Sequence, residues 1–578
     1  MKLGFNRYLI VLILGSFSLQ SMSQPRFDTL GWRPPVDIPI TLTGNFGELR
    51  ADHFHAGIDI KTQGHEGLKI YAVQDGYISR IKISPVGYGK SIYITHADGY
   101  TSVYAHLKEL NIQLEKYIRK VQYQRESFDV DVFPEPNELP VKKGEIVALS
   151  GNSGSSGGPH LHFEIRETKS SKPMNGLFLG YKIPDHLAPK MSYLYVYPQD
   201  NSSWVENSTE SQLFSLQKLN NRYKLRHGDT LQANGNIGLG IKADDLLDGA
   251  TNLCGVYQFK VLVDDSLYFM DQFDGVSFSE SRYVNSLMDY EEFVENKRKL
   301  YKLYVEPNNK LSIYQQAKNQ GTVFVKPGKV SKISVQTYDA YKNKSELVFY
   351  LEGNKKKIAS ETQKNVMVVP WQEPFRFDSS GVVLKLPSKS LYDTLHFEFS
   401  IDNSFTKGLL SPVFNIHRTA TPIHEEYSLS LPYKEVADTL KDKLLMVFVD
   451  GEKLHALGGT AVNGKVEAQL RGFGPFAVSI DTVAPVIKPK NGLAKNKDLT
   501  SAKKIQFEIT DNLSGIKNIQ GTINGKWVLF EWDPKNDLLS YEMDENTPKQ
   551  GAFEVKVVAV DAKGNKAIYQ TTCNRNVL

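Results

Sequence analysis

Cysteine is nearly missing from this chain: 578 residues carry only Cys254 and Cys573, and neither belongs to a Cys-x-x-Cys pair. That excludes a cysteine-based metal or redox motif, and two thiols so far apart read as buried, unpaired residues of different domains. Charge of one sign is missing too. Sixty-nine Lys+Arg against 65 Asp+Glu leave a net charge of +4, too weak for a nucleic-acid binder, and no single-sign tail occurs. Long apolar runs are confined to the N-terminus, where Tyr8–Leu14 falls short of the ~20 residues that span a bilayer.

That short run has a different use. Lys2 and Arg7 precede it, and the small residues Ser21 and Ser23 stand before Gln24, the layout of a secretory signal peptide over residues 1–23. No cysteine follows the small residues, which argues against a lipid anchor. The mature chain is expected to be exported, with no membrane span left after signal cleavage.

What the sequence has in abundance is aromatic: 29 Tyr and 29 Phe, a composition that suits β-structure. The length calls for about three to five domains. Residues 24–200 are dense in Gly, His and short strand-like runs, at 68–73, 77–83, 91–96, 102–105, 146–149 and 161–165. One stretch breaks the rhythm: Leu114, Tyr117, Ile118 and Val121 recur at helical spacing, predicting an amphipathic helix of about three turns. The acidic, proline-containing stretch 129–140 after it reads as a loop. The Asn/Ser-rich segment 201–225 reads as a linker.

Beyond it strands dominate. Ile333, Val335 and Thr337 alternate with polar residues, as do Ile505, Phe507 and Ile509, and Phe553, Val555 and Val557. Two of these runs end in the same chemistry, Asp339-Ala340-Tyr341-Lys342-Asn343-Lys344 and Asp561-Ala562-Lys563-Gly564-Asn565-Lys566. The echo suggests repeated Ig-like β-sandwiches at 226–355 and 481–578, with a β-rich domain at 356–480 between them.

Four pieces near the N-terminus carry the chemistry. His55-Ala56-Gly57-Ile58-Asp59 offers an imidazole and a carboxylate at the entry to a strand, both good zinc ligands. In His160-Leu161-His162-Phe163-Glu164, positions i and i+2 of a strand share a face, so two imidazoles project into one site. Tyr104-Ala105-His106-Leu107 adds a third imidazole. The Gly/Ser-rich run from Gly151 to Pro159 leads straight into His160 and lets the backbone approach a ligand closely. Other nearby residues are less committed. His53, His65 and His96 read as structural or surface residues. Tyr104 either hydrogen-bonds near the site or packs, and Glu164 either orients an imidazole or is a solvated strand end.

Read in order, HAGID, YAHL and SGNSGSSGGPHLHFE closely resemble the lysostaphin/LytM-type zinc endopeptidases of peptidoglycan, over roughly residues 46–166. The resemblance implies that His55, Asp59 and His162 bind one zinc ion per chain and that His106 and His160 are the catalytic histidines. Three protein ligands leave a fourth position for water, whose pKa zinc lowers to about 7. All five residues are present, which disfavours the degenerate relatives that only activate other hydrolases. The departure is the long segment between His106 and Val141. The expected fold class is mainly β: an N-terminal antiparallel β-sheet domain of the LytM-like kind with an inserted helix, followed by β-sandwich domains. The expected activity is hydrolysis of peptide crosslinks of peptidoglycan, as a D,D-endopeptidase in the periplasm of a Gram-negative envelope. Two other readings stay open: a non-catalytic regulator of cell-wall hydrolases, and an envelope scaffold or adhesive protein that works through its β-domains.

Overall fold

The computed structural model describes residues 27–356, 358, 367–404 and 407–577, so the expected signal peptide at 1–23 lies outside the described residues. The chain is mainly β, as its composition implied.

The N-terminal unit is built on an 11-stranded sheet. Its strands are β1 (Leu42–Gly44), β2 (Ile58–Lys61), β3 (Lys69–Tyr71), β4 (Gly76–Ile83), β5 (Lys90–His96), β6 (Tyr100–Leu110), β7 (Val130–Val132), β8 (Pro140–Val141), β9 (Ile146–Ser150), β10 (His160–Glu167) and β11 (Pro173–Met174). The main path runs β1-β2-β10-β6-β5-β4-β7. Alternation drives the pairing: Leu161, Phe163 and Ile165 of β10 enter one core with Ile58, Ile60, Ile92 and Ile94. The helix α1 (Ile112–Arg125) forms where the apolar spacing placed it. The Asn111 side chain accepts from the Leu114 N–H as an N-cap, worth about 1 kcal/mol, and Leu114 and Ile118 are buried against the sheet.

The stretch 129–140, expected as a loop, instead contains β7 and the start of β8, both paired with β4. Its acidity concealed a strand: Val130 and Val132 turn inwards while Asp131 makes a two-pronged ion pair with Arg80, at 2.6 and 2.8 Å.

The boundary with the next unit also differs from expectation. Lys190–Pro198, here β12, pairs with Thr230–Asp244 and Gln212–Leu219, so the second unit begins near Lys190 and not after 225. The supposed linker 201–225 contains the strands Trp204–Val205, Gln212–Leu219 and Arg222–Leu225. Trp204, Tyr223 and Leu225 are buried, and most of the Asn and Ser residues that suggested a linker occupy turns and exposed positions, Ser203 alone among them being fully buried. Twelve strands between Lys190 and Gly353 form one hydrogen-bonded network.

Two further β-units follow, each with its own core. Residues 367–480 form two five-stranded sheets and a two-stranded ribbon around Phe377, Phe414, Tyr427 and Phe476. Residues 486–576 form a four-stranded and a five-stranded sheet around Phe507, Tyr541, Phe553 and Val555. Cys254 and Cys573 are free, buried and in different cores, as their separation suggested. Among the described residues no helix is long and apolar enough to cross a membrane.

Candidate functional site

Strand register assembles the site. On β10, His162 lies opposite Asp59 of β2 and Ala105 of β6, so two chemistry-bearing strands flank it and His106 follows at the next position of β6. His55 reaches the same point from the turn before β2. That turn needs Gly57, because a Cβ there would sit 2.4 Å from the Phe163 carbonyl oxygen. The result is a tight triangle: His55 Nε2 to Asp59 Oδ1 is 3.0 Å, His55 Nε2 to His162 Nδ1 is 3.0 Å, and His162 Nδ1 to Asp59 Oδ1 is 2.8 Å. All three side chains are buried. His160 brings its Nε2 within 3.5 Å of the same Asp59 oxygen, and the His106 and His160 rings lie 4.8 Å apart.

The outward nitrogen of each imidazole is tied to an oxygen. His55 Nδ1 faces the Asn45 carbonyl at 2.7 Å, His106 Nδ1 the Ser153 carbonyl at 2.9 Å and His160 Nδ1 the Gly158 carbonyl at 2.9 Å. His162 Nε2 faces Glu164 Oε1 at 2.8 Å. Carbonyl and carboxylate oxygens only accept, so each of these nitrogens carries the hydrogen. In a neutral ring the inward nitrogen is then a lone pair. Two such nitrogens, 3.0 Å apart and beside a carboxylate, repel unless a proton or a cation lies between them. Two imidazoles and one carboxylate are a donor set that suits zinc, and Glu164 and the Asn45 carbonyl orient the His162 and His55 rings.

The titration of the site follows from the same geometry. Burial opposes ionisation of Asp59, yet His55, with help from His160 and His162, outweighs it and holds the carboxyl well below the usual range. Burial, followed by His162 and His160, pushes the His106 imidazole down to about 3, which keeps it neutral. For Glu164, burial acts against the charge, but Arg166 and His162 prevail and hold it at about 2.

His106 adopts a left-handed backbone with φ 58°, and its N–H donates to the Tyr88 carbonyl at 2.9 Å. Such a conformation costs a non-glycine residue about 1 to 3 kcal/mol, and it persists here because the Gly/Ser-rich loop grips the ring. The loop therefore does form a wall of the site. Ser153 offers its carbonyl to His106, and its Oγ donates to the Leu107 carbonyl.

Several contributing residues escaped the sequence reading. Tyr88 stacks on His162 at 5.1 Å and donates to Glu164, and Arg166 Nε donates to the same carboxylate at 2.5 Å. Arg50 lies 3.5 Å from Asp59 Oδ2. The one visible signal was Gly87-Tyr88-Gly89, a tyrosine between two glycines of positive φ, where a Cβ on Gly89 would strike Ser153. Of the undecided residues, Glu164 is an orienting partner with no exposed surface. Tyr104 packs on Phe163 and accepts from the Val73 N–H, away from the cluster. His53 and His65 are exposed, and His96 is buried against Ser102.

Two later units touch the site. Asn45 is doubly bonded to the Gly255 main chain, Nδ2 to O at 2.8 Å and N to Oδ1 at 2.7 Å. From the last unit, the Lys535 ammonium donates to the carbonyls of Asn152 and Ser156 on the Gly/Ser loop, and Glu531 pairs with Lys90 at 2.9 Å.

Comparison with known proteins addresses the same segment. Residues 53–123 match Peptidase family M23. The N-terminal unit is a peptidase family M23 domain. Residues 366–481 match a Zu5-like domain. The DD-carboxypeptidase/endopeptidase Mpg of Neisseria meningitidis is 30% identical over 137 residues, 24% of this chain and 25% of its own. The murein hydrolase activator NlpD of Salmonella dublin is 33% identical over 147 residues, 25% of this chain and 31% of its own. The chain thus spans less than a third of the length of either relative. Among solved structures, the catalytic domain of the M23 protein EnpA from Enterococcus faecalis is 25% identical, with 26% of this chain and 98% of that one covered and a TM-score of 0.20. His55, Asp59 and His106 fall within the matched segment, and His160 and His162 lie on β10 of the same sheet.

Proposed function

We propose that this chain is an exported zinc-dependent endopeptidase that hydrolyses peptide crosslinks of bacterial peptidoglycan. The observation that carries the reading is the inward convergence of five side chains, with His55, Asp59 and His162 as a closed triangle and His106 and His160 beside it. His55, Asp59 and His162 would hold one zinc ion. Zinc so bound supplies a Lewis acid that polarises a carbonyl and lowers the pKa of a water to about 7.

The chain's own residues supply the rest. His106, neutral and with its Nδ1 hydrogen committed to Ser153, presents an open Nε2 to take a proton from the attacking water. His160 stands beside it, its Nε2 3.5 Å from the Asp59 carboxylate and its ring 4.8 Å from that of His106, placed to hydrogen-bond the oxyanion of the scissile carbonyl when it carries a proton there. Specificity then rests on the groove walls: the Gly/Ser loop, the Tyr88 turn and α1.

The substrate we favour is the direct crosslink between D-alanine and the diamino acid of a neighbouring stem, in a periplasm. The endopeptidase name of the Neisseria relative supports this class, while the activator name of the Salmonella relative supports a non-catalytic second reading. Incubation of the zinc-loaded chain with purified crosslinked dimeric muropeptides separates them. Monomers with intact glycans are expected. Intact dimers alongside cleaved pentaglycine would reassign the bond, and intact dimers and pentaglycine alike would favour the activator.

A further inference from the structure

The echo at Asp339 and Asp561 has a shared geometry. Asp339 Oδ1 accepts from the N–H groups of Tyr341 and Asn343 at 2.9 and 2.8 Å, and Asn343 Nδ2 donates to Asp339 Oδ2 at 2.6 Å and to the Asp185 carbonyl at 3.2 Å. Asp561 repeats the scheme with Lys563, Asn565 and the Asp481 carbonyl. Each turn thereby brings one aspartate against two others, Asp185 and Asp245 in the first case, Asp481 and Asp511 in the second, with one oxygen of each residue within 4.8 Å of the rest.

The first cluster is the more enclosed. Asp185, Asp245 and Asp339 are 8%, 3% and 1% exposed. Asp245 Oδ1 is buried with no hydrogen-bond partner, and so is the Tyr341 hydroxyl beside the cluster, while the buried Asp185 Oδ2 has only the Asp339 carboxyl group to face. Among the described residues no lysine or arginine pairs with any of the three carboxylates. Natural interiors rarely leave anionic oxygens both buried and unpartnered.

We propose that Asp185, Asp245 and Asp339 form a calcium site that fastens the exit of the M23 domain to the second unit. An all-oxygen set rich in carboxylate suits a hard cation, not zinc, and its irregular, enclosed shape suits calcium better than magnesium, which keeps several waters in a regular octahedron. The position explains the use. Asp185 lies on the chain between the M23 core and β12, whereas Asp245 ends the strand Thr230–Asp244 and pairs with Cys254. Cys254 precedes Gly255, the partner of Asn45, whose carbonyl holds His55. Calcium would brace the loop that supports the first ligand of the zinc site.

The test uses the full-length, zinc-loaded chain freed of calcium. Calcium chloride should give a saturable calorimetric heat and raise the melting temperature, with affinity at least about tenfold weaker in Asp245→Asn. Terbium gives a reading on the parent without any carboxylate change. Its tyrosine-excited emission should rise on binding, fall when calcium is added and drop in Tyr341→Phe, which keeps the calcium-dependent melting shift. A parent chain with neither heat nor melting shift, or an Asp245→Asn variant that titrates like the parent, overturns the proposal. Neither reading depends on the peptidase activity.

Discussion

Two buried triads of side chains suited to holding a metal ion lie in this molecule, and they are built on opposite principles. In His55/Asp59/His162 two donors are imidazoles whose outward nitrogens are tied, and a cation or one shared proton is enough to satisfy the set. In Asp185/Asp245/Asp339 all three donors are carboxyl groups that face one another, and no lysine or arginine among the described residues pairs with them. Two unit charges about 4 Å apart repel by about 4 kcal/mol at a typical protein dielectric, so the second triad cannot stay ionised alone. Burial does not separate the two clusters; their neighbours do. Two further imidazoles and a glycine-rich wall surround the first, as chemistry requires, while the second joins three chain segments, as fastening requires.

The sharpest way to break the comparison is to remove a ligand from the nitrogen-rich triad. His162→Ala should take zinc content from about one ion per chain to none and turnover to background, with calcium binding unchanged. Metal analysis and muropeptide assay read both, and a variant that still holds zinc would dissolve the assignment. His106→Ala comes next: turnover falls about 10²- to 10⁴-fold while zinc stays. A metal-free His106→Ala protein would make that residue a ligand instead. Glu164→Gln should be milder. The amide can still accept from His162, but the charge is gone, so zinc affinity falls about 10- to 100-fold by competition titration. An unchanged affinity would reduce Glu164 to a packing residue.

How much of this was legible depends on how each triad is encoded. The first is written in short, ordered motifs on adjacent strands, whose spacing marks the candidate residues and whose resemblance to the LytM-type peptidases singles out the set. The second is scattered over 154 positions between Asp185 and Asp339, and only its third member belongs to a recognisable phrase. The echo of that phrase at Asp561 was visible, but its reason lies in tertiary contacts that no local pattern reports. The same limit hid Tyr88, which acts on His162 and Glu164 far away in sequence, whereas Asn45 and Arg166 stand near their partners His55 and Glu164 but belong to no motif. It also misplaced the start of the second unit, because the polar surface of Gln212–Leu219 and its neighbours outweighed a few buried aromatics. The strand Val130–Val132 was lost for a like reason, its central Asp131 reading as loop until Arg80 accounts for it.

Asn45 connects the two triads and gives the finest test of whether they communicate. Its main-chain carbonyl orients His55, and its side chain makes both hydrogen bonds to Gly255, ten residues beyond Asp245. Asn45→Ala leaves the carbonyl in place and removes only the side-chain bonds, stranding a buried N–H and a buried carbonyl of Gly255. An unsatisfied buried group costs about 1–3 kcal/mol, and in a unit of this size each kcal/mol lowers the melting temperature by about 2–4 °C. If the loop from Asp245 to Gly255 supports the zinc ligand, the loss should not stop at stability. Zinc affinity should fall a few-fold, and calcium should restore part of it by holding the loop from its other end. Melting curves and zinc competition titrations with and without calcium distinguish the outcomes. A drop in melting temperature with zinc affinity untouched at either calcium level would mean that the triads share a boundary but no coupling.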